Sequence, residues 1–291
     1  MRGVLLVAHG TPDSLDEMPE YLRLVRGGRA PSAELVEEMR HNYAAIGGRS
    51  PLTDLTQAQA AALRAELGGL PVLVGMRNWR PFIADALEEA QRTGVDDLVV
   101  VPMAPQYSSL SVAKYRAAVD AALPPGLNMR FVDSWHADPD LLDAFAARVR
   151  EALEKEPADA VVFTAHSLPQ SAIDKGDPYA RQVAETAAGV AARSGLGAFE
   201  QAWQSAGRTP EPWLGPSLEE RLGALADAGR TRVLVAPIGF VCDHTEILYD
   251  IDVQARAAAR ARGVALRRTE SLNTSPLFIR ALAGVVRRGW S

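Results

Sequence analysis

The stretch VLLVAHGTP at positions 4–12 returns in altered form as VVFTAHSLP at positions 161–169. Each copy is an apolar, β-branched run that stops at Ala-His, followed by a small residue, one variable residue and Pro. A run that is apolar at every position, rather than at alternate ones, describes a strand covered on both faces. Such strands belong to parallel sheets with helices on either side. The second pair, DLVVVPMAP at 97–105 and RVLVAPIGF at 232–240, is again a strand that ends in Pro and a loop. Each half therefore offers one strand ending in Ala-His and another ending in Pro, so the chain reads as a duplication.

The rest of the pattern agrees. Short β-branched runs at 4–8, 72–75, 98–102, 129–132, 160–164 and 232–237 alternate with helical periodicity. The helical stretches lie at 33–46, 53–67, 80–93, 112–123, 140–155, 179–193, 218–228 and 246–262. This predicts an α/β protein of two similar Rossmann-like domains, residues 1–130 and 131–291, each a parallel sheet flanked by helices. A last helix is expected to pack back on the first domain. Ligands of such sheets bind beyond the carboxyl ends of the strands, so a cleft between the two domains is the expected site.

Several function classes are excluded. A net charge of −5 argues against nucleic acid as a partner, which would require a basic footprint. The single cysteine, Cys242, allows no internal disulfide and no cluster held by four thiolates. No run approaches the roughly eighteen apolar residues of a transmembrane helix. The first apolar run is too short for a signal peptide, and a cytoplasmic location is expected. Walker A, Gly-x-Gly-x-x-Gly, Gly-x-Ser-x-Gly and HExxH patterns are absent.

What remains is His166 at a strand end and the segment GFVCDHTEILYDID at 239–252, which follows the other strand end of the same half. Glu246, Asp250 and Gln254 recur at every fourth position, one face of an α-helix. Two carboxylates so spaced repel, and the apolar Ile247, Leu248, Ile251 and Val253 around them point the row into a cleft rather than into water. A His with Glu and Asp and no Cys suits a borderline divalent ion such as ferrous iron, cobalt or zinc. Cys242 reads as a buried thiol. The segment 203–216, rich in Trp, Gly and Pro, reads as an ordered loop. Arg26, Arg29, Arg40, His41, Tyr43, Arg49 and Ser50 cluster around two helix ends, where they can grip acidic groups of a ligand.

Taken in order, HGTP, YAAIGGRSPL, MAPQYSSLSVAKY, AHSLP, GDPY, WQSAGRTPEPWLGP and GFVCDHTEILYDID resemble the motifs of the ferrochelatase family, from about residue 4 to residue 288. The family inserts ferrous iron into a porphyrin. The resemblance implies that His166 and Glu246 form the facing pair that handles iron and pyrrole protons, and that Asp250 continues a metal route along the helix. Ser50, Tyr115, Arg26 and Tyr43 match porphyrin contacts. His9 stands where compact bacterial relatives carry Tyr, and there it either ligates the product iron or caps the loop before Pro12. Two departures are visible: Gln254 where some relatives have a third acidic residue, and Asn42 where a bacterial relative has Arg.

The resemblance is nearest to compact, monomeric bacterial forms that act on coproporphyrin III to give its iron complex in haem biosynthesis. It implies a lyase forming nitrogen–metal bonds, with porphyrin and ferrous iron as substrates, no permanently bound cofactor and no iron–sulfur cluster. Its partners would include transient contacts with neighbouring enzymes of haem synthesis. Protoporphyrin IX as substrate, a cobalt or sirohydrochlorin chelatase, and a non-catalytic tetrapyrrole carrier are the alternatives.

Overall fold

A computed structural model describes residues 1–207 and 209–290; Arg208, inside the WQSAGRTPEPWLGP motif, lies outside the described residues. The chain forms two four-stranded sheets in which every pairing is parallel. The first, ordered β2-β1-β3-β4, uses β1 (Arg2–Ala8), β2 (Val72–Met76), β3 (Asp97–Pro102) and β4 (Asn128–Phe131). The second repeats that order as β6-β5-β7-β8, with β5 (Ala160–His166), β6 (Glu200–Gln204), β7 (Arg232–Pro237) and β8 (Ala265–Arg268). The helices of the first half are α1 (Met18–Val25), α2 (Ala33–Ala45), α3 (Leu52–Glu66), α4 (Ile83–Arg92) and α5 (Val112–Ala122). Those that follow are α6 (Pro139–Lys155), α7 (Gln170–Asp174), α8 (Tyr179–Ser194), α9 (Leu218–Asp227), α10 (Thr245–Leu248), α11 (Arg256–Ala261) and α12 (Pro276–Gly289).

Period-two alternation assigns each central strand two buried faces. Val4, Leu6 and Ala8 of β1 share one core with Val161, Phe163 and Ala165 of β5, filled out by α3, α6, α8 and α12. The opposite face of β1, Leu5 and Val7, packs with α4 and α5. On the second sheet, Val162, Val233 and Val235 pack with α9 and α11. The inner core is continuous across both halves, and α12 closes back on α3 and β3. Buried polar ties cross the same boundary. Gln106 donates to Thr186 Oγ1 (3.1 Å) and to the Ile238 carbonyl (3.2 Å), and Gln59 donates to the Asn273 carbonyl (2.9 Å). Asp177 of GDPY accepts from Ser109 N (2.7 Å) and from the hydroxyls of Ser108 (3.0 Å) and Ser109 (2.7 Å), which fixes the MAPQYSS loop. Among the described residues no helix is long and apolar enough to cross a membrane.

The structure departs from the sequence expectations in several places, and α1 and α7 lie outside the helical stretches named from sequence. β6 and β8, with sequences EQAWQ and ALRR, are edge strands, and their polar residues hide them from an apolar-run criterion. β6 therefore takes Trp203 and Gln204 out of the expected loop. The helix expected from 80 begins at Ile83, because Met76 N donates to the Pro81 carbonyl (2.7 Å) and holds the chain extended beside β2. The helix expected over 246–262 is interrupted by a π-helical segment, Asp250–Ala255.

Gly10, directly after His9, has φ +89°, and a Cβ there would lie 2.8 Å from Trp79 N. Only glycine accepts both conditions. Gly10→Ala should destabilise the protein by about 2 kcal/mol or more, read calorimetrically as a melting temperature lowered by about 4 °C. Gly27→Ala, also at positive φ (+64°) but with nothing within 4 Å, is the control and should show the smaller loss.

Candidate active site

In each sheet the chain order reverses between the two central strands, β1 and β3 in the first, β5 and β7 in the second. Such switch points open a crevice at the strand carboxyl ends. Here the two crevices form one cavity of about 310 Å³, lined by His9 and His166 at the ends of β1 and β5 and by the loops after β3 and β7. Tyr43, Ser50, Tyr115 and Glu246 join the same lining.

The two strand-end histidines are anchored alike. Nδ1 of His9 donates to the carbonyl of Gly10 (3.1 Å), and Nδ1 of His166 donates to the carbonyl of Ser167. A carbonyl only accepts, so both rings carry a proton on Nδ1 and turn Nε2 away from it. From there they differ. Nε2 of His166 lies 3.6 Å from Glu246 Oε1. Nε2 of His9 accepts from the Asn78 amide (3.0 Å), and Tyr21 OH sits 3.2 Å from its Nδ1. Burial lowers the His9 pKa against the Gly10 hydrogen bond, and Arg77 lowers it further, so His9 is neutral at neutral pH.

Glu246 opens α10. Burial opposes its ionisation, but His166, His244 and His9 hold its carboxyl below the ordinary value, so it is a carboxylate at neutral pH. His244 caps the helix by accepting from Glu246 N (3.1 Å). Gln204 at the end of β6 donates to the Glu246 carbonyl (2.8 Å). The residues after His166 are held by the 203–216 segment, with Ser167 N donating to the Gln204 carbonyl (2.7 Å) and Ser167 Oγ to the Leu214 carbonyl (2.8 Å). A buried clamp completes the wall: Arg268 Nη2 bridges Asp243 (3.0 Å) and Asp252 (2.9 Å), tying the loop after β7 to the π-helical segment. Ser271 and Asn273 donate to the Asp243 carboxylate (2.7 and 2.9 Å). Cys242 is buried beside this wall, and burial with Asp243 pushes its thiol up to about 12, so no thiolate forms at neutral pH.

The family model described as Ferrochelatase matches residues 1–289. The chain belongs to the ferrochelatase family. A protein named Ferrochelatase from Deinococcus radiodurans is 45% identical over 98% of this chain and 95% of its own length. One named Coproporphyrin III ferrochelatase from Geobacillus kaustophilus is 38% identical over 99% of this chain and 96% of its own. Among solved structures, SirB from Bacillus subtilis with Fe3+ superposes with a TM-score of 0.63 at 14% identity, covering 99% of this chain and 95% of that one. CbiX, described as the terminal enzyme of sirohaem biosynthesis in denitrifying bacteria, gives 0.60 at 16% identity with both chains fully covered (100%). At those identities the likeness shows the two-sheet fold alone. Ferrochelatase function in haem biosynthesis follows from the family.

The ferrochelatase cleft gathers His9, Tyr43, Ser50, Tyr115, His166 and Glu246, but not all the residues singled out from sequence. Arg26 is exposed at the carboxyl end of α1 and outside the cavity lining. Asp250 lies beyond the lining, accepting from Ser205 Oγ. The π turn also undoes the fourfold spacing: Gln254 N reaches back five residues to the Tyr249 carbonyl (2.9 Å), and its side chain donates to Glu219 on α9 (2.9 Å). Among the described residues no three His, Cys, Asp or Glu side chains form a closed metal site. His244, Tyr21, Arg77 and Asn78 belong to the site without standing out in the sequence. Arg77 and Asn78 follow β2 as His9 follows β1, and the strand-end rule applied to β2 finds them.

Asp250 supplies a pH test. Burial pushes its carboxyl up to about 7, against the Ser205 hydrogen bond and with Glu246 adding. The folded state therefore binds a proton that the unfolded chain releases near pH 4, and stability falls as pH rises from about 4 to about 7. Asp250→Asn removes that loss. In thermal melts its stability relative to the parent should grow between about pH 5 and pH 8; a difference that stays flat with pH would contradict the raised carboxyl.

Proposed function

We propose that the cleft inserts ferrous iron into coproporphyrin III, releasing iron coproporphyrin III. The observation that carries the reading is the His166–Glu246 pair, 3.6 Å apart at the rim where both switch points open. The choice of porphyrin is supported by relatives named for coproporphyrin III that align along 98–99% of this chain at 37–38% identity.

A flat porphyrin hides its nitrogen lone pairs and holds two N–H protons that leave as the metal enters. A cleft that favours a bent ring lowers the barrier by resembling the transition state. Glu246, ionised at neutral pH, attracts the ferrous ion, and two open donors release it more readily than a closed cage would. His166 presents a free Nε2, accepts a pyrrole proton and passes it to Glu246. Asp250, protonated more readily than an ordinary carboxyl, carries the proton onward. Iron is a substrate in this scheme, and no resident cofactor is needed.

His9 belongs to the opposite wall. Its neutral Nε2 can ligate the product iron once the Asn78 amide gives way, and that ligation should colour the product complex. His9→Ala should shift the absorption spectrum of the bound iron porphyrin, whereas an unchanged spectrum would remove His9 as a ligand. The decisive assay is anaerobic insertion of ferrous iron into coproporphyrin III and protoporphyrin IX side by side. Coproporphyrin III should be favoured in kcat/KM by about tenfold or more, worth about 1.4 kcal/mol. Equal values would overturn the preference for coproporphyrin III, and a reversed preference would assign the two-propionate substrate instead. In the same assay His166→Ala should lose about a hundredfold or more in insertion while still binding porphyrin; turnover at the parental rate would defeat the proton-acceptor role.

A further inference from the structure

The cleft contains a cation that no carboxylate among the described residues pairs with. Arg77 follows β2 at the sheet rim, where its backbone amide donates to the Ala8 carbonyl (2.9 Å), and its side chain lines the cavity. It is the only Arg or Lys among the described lining residues. Its Nε is buried and has no hydrogen-bond partner. Arg221 and Arg267 also bury an unpartnered N–H, but each holds a carboxylate with another nitrogen, Glu200 at 2.9 Å and Glu156 at 3.5 Å. Among the described residues no carboxylate comes within ion-pair distance of Arg77. Its guanidinium instead stands 5.9 Å from the centre of the Tyr115 ring, a weaker form of compensation.

The neighbours offer no relief. Asn78 is committed to His9, and the Tyr21 hydroxyl to Gly10 and His9. Glu246, the one carboxylate in the lining, faces His166. A half-buried guanidinium with a free N–H is costly unless an anion arrives with the ligand. Ferrous iron is a cation and cannot be that ligand group. A planar fork of N–H donors matches a carboxylate, which can take two parallel hydrogen bonds.

We propose that Arg77 is a carboxylate-binding subsite of the cleft, holding one side-chain carboxylate of the tetrapyrrole while the Tyr115 ring backs its guanidinium. The inference rests on the porphyrin reading of the cleft and extends it: the free acid groups of the substrate, and not only its ring, are recognised from the β2 end of the first sheet.

The test is fluorescence-quenching titration of the metal-free porphyrin with the parent protein, Arg77→Gln and Arg77→Lys, using coproporphyrin III and its neutral tetramethyl ester in one detergent buffer. Arg77→Gln should weaken the free acid by about tenfold or more, the ordinary worth of a charge-assisted hydrogen bond, and leave the ester within about twofold. Arg77→Lys, which keeps the charge and loses the fork, should fall between. Thermal melts of both variants guard against misfolding. Equal weakening of acid and ester would make Arg77 a packing residue and overturn the proposal, as would an Arg77→Gln protein that binds the acid like the parent. A parent protein that binds neither porphyrin would instead bring down the reading of the cleft itself.

Discussion

Parallel pairing of β1 with β3 and of β5 with β7 is the constraint from which the rest of the molecule follows. It sends the central strands of each sheet toward one rim and leaves their carboxyl ends, where the next loops start, as the place for polar side chains. The middles of those strands are buried, so the polar lining of the cleft comes from the strand ends and from the loops and helices that follow them. His9, Arg77, Met103, His166 and Gly239 all sit at or just beyond a strand end. The duplicated order of strands then sets two such rims against one another, and a cleft is the geometric result.

The duplication copies an anchor and not a role. Both histidines spend Nδ1 on the carbonyl of the following residue, which fixes tautomer and ring orientation without a carboxylate partner. The free nitrogen is then handed to whatever the neighbouring strand supplies: a side-chain amide from the end of β2 in one half, a helix-opening carboxylate after β7 in the other. That second wall is held by charge. Arg268, with only 13% of its side chain exposed, is compensated by Asp243 and Asp252, and removal of either partner would leave a nearly buried charge.

The central strands are legible in the sequence because continuous apolar runs have few other uses, and the pair His166 and Glu246 is legible because each lies close to the end of one. The edge strands β6 and β8 are not, since EQAWQ and ALRR mix polar and apolar residues with no period of their own, unlike the apolar edge strand β2. The i→i+5 turn at Asp250–Ala255 is illegible for a different reason. Its sequence suits an ordinary helix, and what surrounds the segment is tertiary: Asp252 is held by Arg268, and Gln254 is drawn to Glu219. Arg77 escapes because the β-branched run of β2 stops at Gly75, one residue short of the observed strand end at Met76.

The shared inner core has a mechanical meaning. Two sheets packed only against their own helices could each swing as a unit. Here Leu6 of the first sheet and Phe163 of the second belong to the same close-packed cluster, and α12 is embedded in both halves. Swinging one half against the other would break that shared packing, so the width of the cleft is tied to the integrity of the core.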